Sequence, residues 1–243
     1  MTYCVGLRLD KGLVFMSDTR TNSGVDNISQ FKKLFTWSIP GERVLTIMTS
    51  GNLATTQTVI SMIDERAKAP EDRSPSILEA PSMFEVARQV GEMLREVILT
   101  SSPTGMRADS TFDATIMLGG QIRGGEPRLF LIYPEGNFLE ASEDTPFFQI
   151  GETKYGRPII LRAFDPAMSF EDAVKLLLVS FDSTVKANLS VGLPLDLMTY
   201  ETDSFQVGHT RRIKADDPYY MAVSEGWGDA LKKAFNELPD FRF

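Results

Sequence analysis

The sequence predicts an α+β fold of two sheets packed face to face, with helices covering their outer sides. Three observations predict it. Short strand patterns follow one another through tight turns, which favours antiparallel pairing. Helical patterns come in two groups of two rather than alternating with single strands. Across all 243 residues the apolar fraction is 42%, enough for a substantial core.

The elements follow in order. Tyr3, Val5, Leu7 and Leu9 alternate with Thr2, Cys4, Gly6 and Arg8, the period-2 mark of a strand with two different faces. A turn at residues 10–12 sends a second strand, Gly12 to Ser17, straight back. With a three-residue turn, Cys4 is expected opposite Asp18 and Thr2 opposite Arg20. Lys33 to Ser38 and Arg43 to Ser50 form a second pair joined by "PGE". On that strand Phe31, Lys33, Phe35 and Trp37 would share a face, leaving Lys33 the single charge in an aromatic row.

"GNLATTQTVISMIDERA" then switches to helical spacing, with Leu53, Val59, Ile60 and Ile63 on one side. Ser82 with Glu85 has capping-box spacing ahead of a second helix, and "KAPEDRSPSILEAP" between them is expected to be a surface connection. Strands resume at "ATIMLGG", "RLFLIYP", "NFLEA" and "FFQIG". Helices are expected at about 155–164 and 169–188, the second capped by Ser169 with Asp172. Two late strands, "LDLMTYE" and "SFQVGH", precede a terminal amphipathic helix, "WGDALKKAFNEL". No repeat or linker interrupts the pattern, so residues 1–243 are expected to form a single domain.

Composition excludes some functions. With 33 acids against 25 bases the net charge is −8, contrary to the clustered Lys and Arg that nucleic-acid binding requires. One cysteine allows no internal disulfide and suits a reducing compartment. Neither a signal peptide nor an apolar membrane span is visible, so a soluble cytoplasmic protein is expected. A zinc site lacks a ligand set, because His209 is the only histidine. "GETKYGRP" has Arg and Pro where a phosphate loop needs Lys and Ser or Thr, and no G-x-S-x-G elbow exists. No cofactor or metal is implied.

The chemistry-bearing residues gather at the amino terminus. Removal of Met1 would leave Thr2 with a free amine beside its own hydroxyl. An α-amine, with an ordinary pKa of about 7.7–8.0, has a substantial neutral fraction near physiological pH and can take the hydroxyl proton. Lys33 in apolar surroundings needs a carboxylate, and Asp18 is the obvious partner. Taken singly, each residue has a plainer reading: a common start, a surface ion pair, an edge-strand lysine, a strand-to-helix glycine.

Together, Thr2, "SDTR" with Asp18, Gly24, "KKL" with Lys33 and "TSGN" with Gly51 resemble the catalytic β-type subunits of the proteasome family. More narrowly, "DTRTNSGVDNI" is similar to a segment of the bacterial Anbu, or ancestral β-subunit, group. The resemblance implies a four-layer αββα sandwich and N-terminal-nucleophile hydrolase chemistry on amide bonds. Thr2 then matches the nucleophile, Asp18 and Lys33 the charged pair beside it, and Gly51 the donor of an oxyanion N–H. Arg20, Ser190 and Glu152 are candidate supporting residues.

Two positions depart from the family pattern: Glu152 stands where a serine is usual, and "NLSVG" replaces Asp-x-x-Ser-Gly. The resemblance also implies homo-oligomers, as rings or open spirals, acting on a peptide or small amide. Nucleic acid and membrane are not expected as partners, and no ATPase partner is indicated. The alternative is an assembling scaffold whose pocket has lost its chemistry.

Overall fold

The computed structural model describes residues 2–22, 28–68, 75–101 and 112–243. Gly24 and most of the segment after it lie outside the described residues. The chain runs β1 (Tyr3–Leu9), β2 (Gly12–Asp18), β3 (Arg20–Asn22), β4 (Ile28–Gln30), β5 (Leu34–Ile39) and β6 (Arg43–Gly51). Helices α1 (Leu53–Lys68) and α2 (Met83–Ser101) follow, then β7 (Ala114–Ile122), β8 (Arg128–Ile132), β9 (Phe138–Glu140) and β10 (Phe147–Gly151). The remainder is α3 (Arg157–Ala163), α4 (Phe170–Ala187), β11 (Leu195–Glu201), β12 (Thr210–Ile213) and α5 (Pro218–Asn236).

Two five-stranded antiparallel sheets result, ordered β10-β1-β2-β11-β12 and β5-β6-β7-β8-β9, with β3 and β4 as a separate ribbon. Three apolar clusters define the layers. Leu45, Ile47, Ile116 and Leu118 meet Val59, Ile63, Val90 and Leu94 of α1 and α2. Cys4, Leu13 and Phe15 meet Met48, Met117 and Leu129 between the sheets. Val5, Leu7, Val14 and Met16 meet Leu177 and Phe181 of α4 on the other outer face. Alternate residues of β1 and β2 thus serve different layers, as the period-2 pattern requires. The architecture is the expected αββα sandwich.

Several expectations need correction. The first hairpin pairs Leu9 with Gly12 and Cys4 with Ser17, so its turn is Asp10-Lys11 and the register is one residue from that expected. Gly12 belongs to the strand because β11 crowds it: a Cβ there would lie 1.9 Å from the Tyr200 carbonyl oxygen. Asp18 therefore does not face Cys4, and Thr2 is not paired with Arg20.

Lys33 also lies outside a strand. β5 begins at Leu34, while Phe35 and Trp37 stack beneath α1 and Lys32 lies over the Phe35 ring. The helix-to-helix connection is not all surface, since Ile77 and Ala80 are buried and their carbonyls accept from Arg43. "SFQVGH" forms no strand; β12 starts one residue later. α5 begins at Pro218, with the Asp217 side chain accepting from the N–H groups of Tyr219 and Tyr220. α3 is shorter than expected, and α4 begins after its Ser169 cap as expected.

Candidate active site

The amino end of β1, the far end of β2, the lead into β5 and the far end of β6 converge at one edge of the sandwich. Thr2 is buried immediately before β1. Its carbonyl accepts the Glu152 N–H at 2.7 Å, so the turn after β10 holds it. Gly151 makes this approach possible. Its φ is 85°, and a Cβ would lie 1.9 Å from the Thr2 carbonyl oxygen and 3.2 Å from Ser50 Oγ. The end of β6 is thereby brought beside Thr2.

Asp18, wholly buried at the end of β2, receives three donors. Its Oδ1 accepts the Tyr3 N–H at 3.0 Å and the Lys33 ammonium at 2.7 Å, and its Oδ2 accepts the Gly192 N–H at 3.4 Å. Burial pushes the Asp18 carboxyl above its ordinary pKa, while Lys33 and the backbone donors pull it back. Lys33 also donates to the Arg20 carbonyl at 2.6 Å. The expected Asp18–Lys33 pair is therefore present, although Lys33 reaches Asp18 from a loop rather than from an aromatic strand face.

Arg20 does not join that pair through its side chain. Its guanidinium donates to the Leu189 carbonyl at 2.8 Å and packs so closely on Gly192 that a Cβ there would collide with it. It pins the loop that carries Gly192 to Asp18. Gly51 ends β6, and Asn52 then caps α1 by accepting the Thr55 N–H at 3.0 Å. The site's outer rim thus lies next to a helix amino terminus, where backbone N–H groups have no helical partner.

Glu152 and Ser190 enter through a residue that sequence reading passed over. Asn188 donates from its amide to Glu152 Oε2 at 2.6 Å and accepts the Ser190 N–H at 2.9 Å on Oδ1. Its position as the last residue before the "LSVG" loop, at the end of α4, was the available signal. Ser190 contributes a backbone group to this network, and not a hydroxyl bond that the structure records.

A cavity of about 350 Å³ is lined by Phe31, Lys32, Phe35, Thr49, Leu53 and Gln57 among others. Its lining residue Lys32 adjoins Lys33 in sequence, and Leu53 follows Gly51 by two residues. Cys4, the single free cysteine, is buried between the sheets and its thiol is pushed up by burial, unlike a reactive thiolate. Among the described residues, no cluster of His, Cys, Asp or Glu has the arrangement to hold a metal ion.

Residues 2–193 match the proteasome subunit family. The chain belongs to that family. Within it, the chain is similar throughout its length to Anbu, the ancestral β-subunit. Anbu from Yersinia bercovieri is 47% identical over 99% of both chains, with a TM-score of 0.93. A Gly-1 mutant of Anbu from Hyphomicrobium sp. strain MC1 is 49% identical over 100% of both chains, at 0.92. A helical assembly of the Anbu complex from Pseudomonas aeruginosa gives 43% identity over 99% of this chain and 98% of that one, at 0.92. No protein with a curated description matches the chain.

Proposed function

We propose that this proteasome-family subunit, once Met1 is removed, is an N-terminal-threonine hydrolase of amide bonds, most simply those of peptides. The observation that carries the reading is the buried Asp18–Lys33 pair, tied to the backbone beside Thr2 through Tyr3. A buried ion pair adds little to stability over apolar residues of the same volume, so its place beside a hydroxyl and a backbone amine suggests chemistry.

In the proposed reaction, Thr2 Oγ adds to the substrate carbonyl carbon while its proton passes to the α-amine of the same residue. The negative charge formed on the carbonyl oxygen is met by the Gly51 N–H. The ammonium returns its proton to the leaving amine as the carbon–nitrogen bond breaks, leaving an ester on Thr2. Water then adds to that ester, with the amine again taking the proton and giving it back to Oγ. Carboxylic acid departs and Thr2 is restored. Lys33 disfavours a second positive charge on the amine and favours developing negative charge at Oγ, while Asp18 fixes its position. The cavity beside Phe31 and Phe35 would receive the side chain on the acyl side of the cleaved bond.

We further propose that the chain works as a homo-oligomer, a reading supported by the helical assembly of the relative at 43% identity. A second reading, an assembling scaffold without turnover, is favoured by Glu152 and Asn188 standing where the family pattern has serine and aspartate. A peptide and small-amide library, hydrolysed by Met1-free protein with a Thr2→Ala control, separates the two. Thr2-dependent release of amine supports the hydrolase; equal, background release from both proteins supports the scaffold.

A further inference from the structure

Tyr3 follows Thr2 directly, and its phenol is held by a chain of hydrogen bonds that the proposed reaction has not used. Gln149 Nε2 on β10 donates to the hydroxyl oxygen at 2.6 Å. The hydroxyl meets Ser180 Oγ on α4 at 2.7 Å, and Ser180 in turn donates to the Gly156 carbonyl at 3.1 Å. The Tyr3 ring packs on Phe181, with centroids 4.5 Å apart. Burial pushes the phenol pKa up to about 12, so the hydroxyl keeps its proton to donate.

Filling the layer does not require this arrangement. Phenylalanine would join the same apolar cluster as Leu177 and Phe181 without taking a hydroxyl, a serine and an amide out of water. Gly156 sharpens the point. Its φ of −88° suits any residue, yet a Cβ there would lie 2.2 Å from the Tyr3 hydroxyl and 2.3 Å from Ser180 Oγ. Room for this one contact excludes a side chain at that position. At its other end Tyr3 gives its N–H to Asp18 Oδ1 at 3.0 Å, the same oxygen that Lys33 meets at 2.7 Å. Tyr3 therefore ties the outer helix layer to the ion pair, one peptide from Thr2.

We propose that Tyr3 is a positioning residue for the reaction: through its phenol, α4 and β10 set where Thr2 stands relative to the Asp18–Lys33 pair. This rests on the hydrolase reading. Loosening the phenol lets the start of β1 drift against the ion pair, while the cavity and the charges themselves are unchanged. Misplacing reacting groups by about 1 Å costs about a hundred-fold in rate, so partial slack should cost about ten-fold.

The test compares three variants of folded protein with Thr2 first in the chain. Tyr3→Phe keeps the ring and removes the hydroxyl. Ser180→Ala removes its partner on α4 and leaves Tyr3 intact, which serves should Tyr3→Phe fold poorly. Tyr220→Phe is the control, because it takes a phenol bond of 3.3 Å from Asp182 of the same helix without touching β1. With an electrophile selective for amino-terminal threonine, followed by intact mass, Tyr3→Phe should slow acylation at saturation about ten-fold. The half-saturating concentration should not move. Ser180→Ala should slow it less, and the double variant no more than Tyr3→Phe alone, since the two act as a unit.

A purely structural phenol would lower stability and leave that rate alone. Full rate in both Tyr3→Phe and Ser180→Ala overturns the proposal, as does an equal loss in Tyr220→Phe. The hydrolase reading fails separately, by wild-type protein that is never acylated. Hydrogen exchange at the Tyr3 amide, read by NMR of protein labelled with ¹⁵N-tyrosine, then decides the pin by itself: exchange no faster in Ser180→Ala than in wild type overturns it.

Discussion

The two ends of the sheet sandwich both bury polar side chains, and they do so in opposite ways. At the end away from Thr2, Gln121 on β7 is saturated: its Oε1 accepts from the Tyr200 hydroxyl at 2.7 Å and the Asp203 N–H at 2.8 Å. Its Nε2 donates to the Gly125 carbonyl and Asp203 Oδ1, each at 2.7 Å. At the Thr2 end, the buried groups are an ion pair, and Ser17 Oγ, one residue from Asp18, is buried with no hydrogen-bond partner among the described residues. A satisfied amide network locks loops together and specifies one geometry. A buried charge pair beside an orphan hydroxyl does that poorly, and its placement makes sense where charge must be managed during a reaction. On the proposed function, one end is built to hold and the other to react.

Mutations should therefore split the molecule into two halves. The largest expected effect is that of Thr2→Ala, which should abolish acylation by at least about a thousand-fold while leaving urea unfolding nearly unchanged. Next, Lys33→Met should destabilise by about 3–5 kcal/mol at neutral pH, because it strands the Asp18 carboxylate. The pH dependence carries a sign. Asp18 already has a raised folded-state pKa, so its contribution to stability is present below its unfolded pKa and is lost as pH rises through the folded one. Loss of Lys33 raises the folded value further. The gap between variant and wild type should thus be widest at pH 8 and shrink as pH falls towards 4, in parallel urea titrations.

At the other end, Gln121→Leu should cost about 2–3 kcal/mol by leaving the Tyr200 hydroxyl and the Asp203 N–H unmet. The acylation rate of Thr2 should stay within about two-fold of wild type. A large fall in that rate would erase the distinction between the ends. The smallest effect belongs to Ser17→Ala. Removing an unbonded buried hydroxyl should be neutral or stabilising by up to about 1 kcal/mol, and a loss of more than 2 kcal/mol would show that the hydroxyl has a partner.

The sequence carried the layers and the charged pair but not the way they meet. Alternation in Tyr3–Leu9 and spacing in α1 are local properties, so both were legible in order along the chain. Asp18 and Lys33 were paired from the expectation of an aromatic strand row that the structure does not keep, since Lys33 lies in the loop before β5. The pairing held because a buried lysine needs an acid wherever it sits. The hairpin register was not legible, since it is fixed by Gly12 approaching β11, whose residues lie nearly two hundred positions away. α5 was read too short because Gly226 and Gly228 interrupt its pattern; Asp217-Pro218 was the start signal. Asn188 went unread because its value lies in joining Glu152 to the loop that reaches Asp18, a relation that no local pattern encodes.

The central claim is that Thr2 is a nucleophile activated by its own amine. The intact mass of the protein, before and after an excess of an electrophile selective for amino-terminal threonine, tests it most directly. The account predicts a mass lacking one methionine and a single adduct that disappears in Thr2→Ala. Protein with Thr2 first in the chain and no adduct would contradict it.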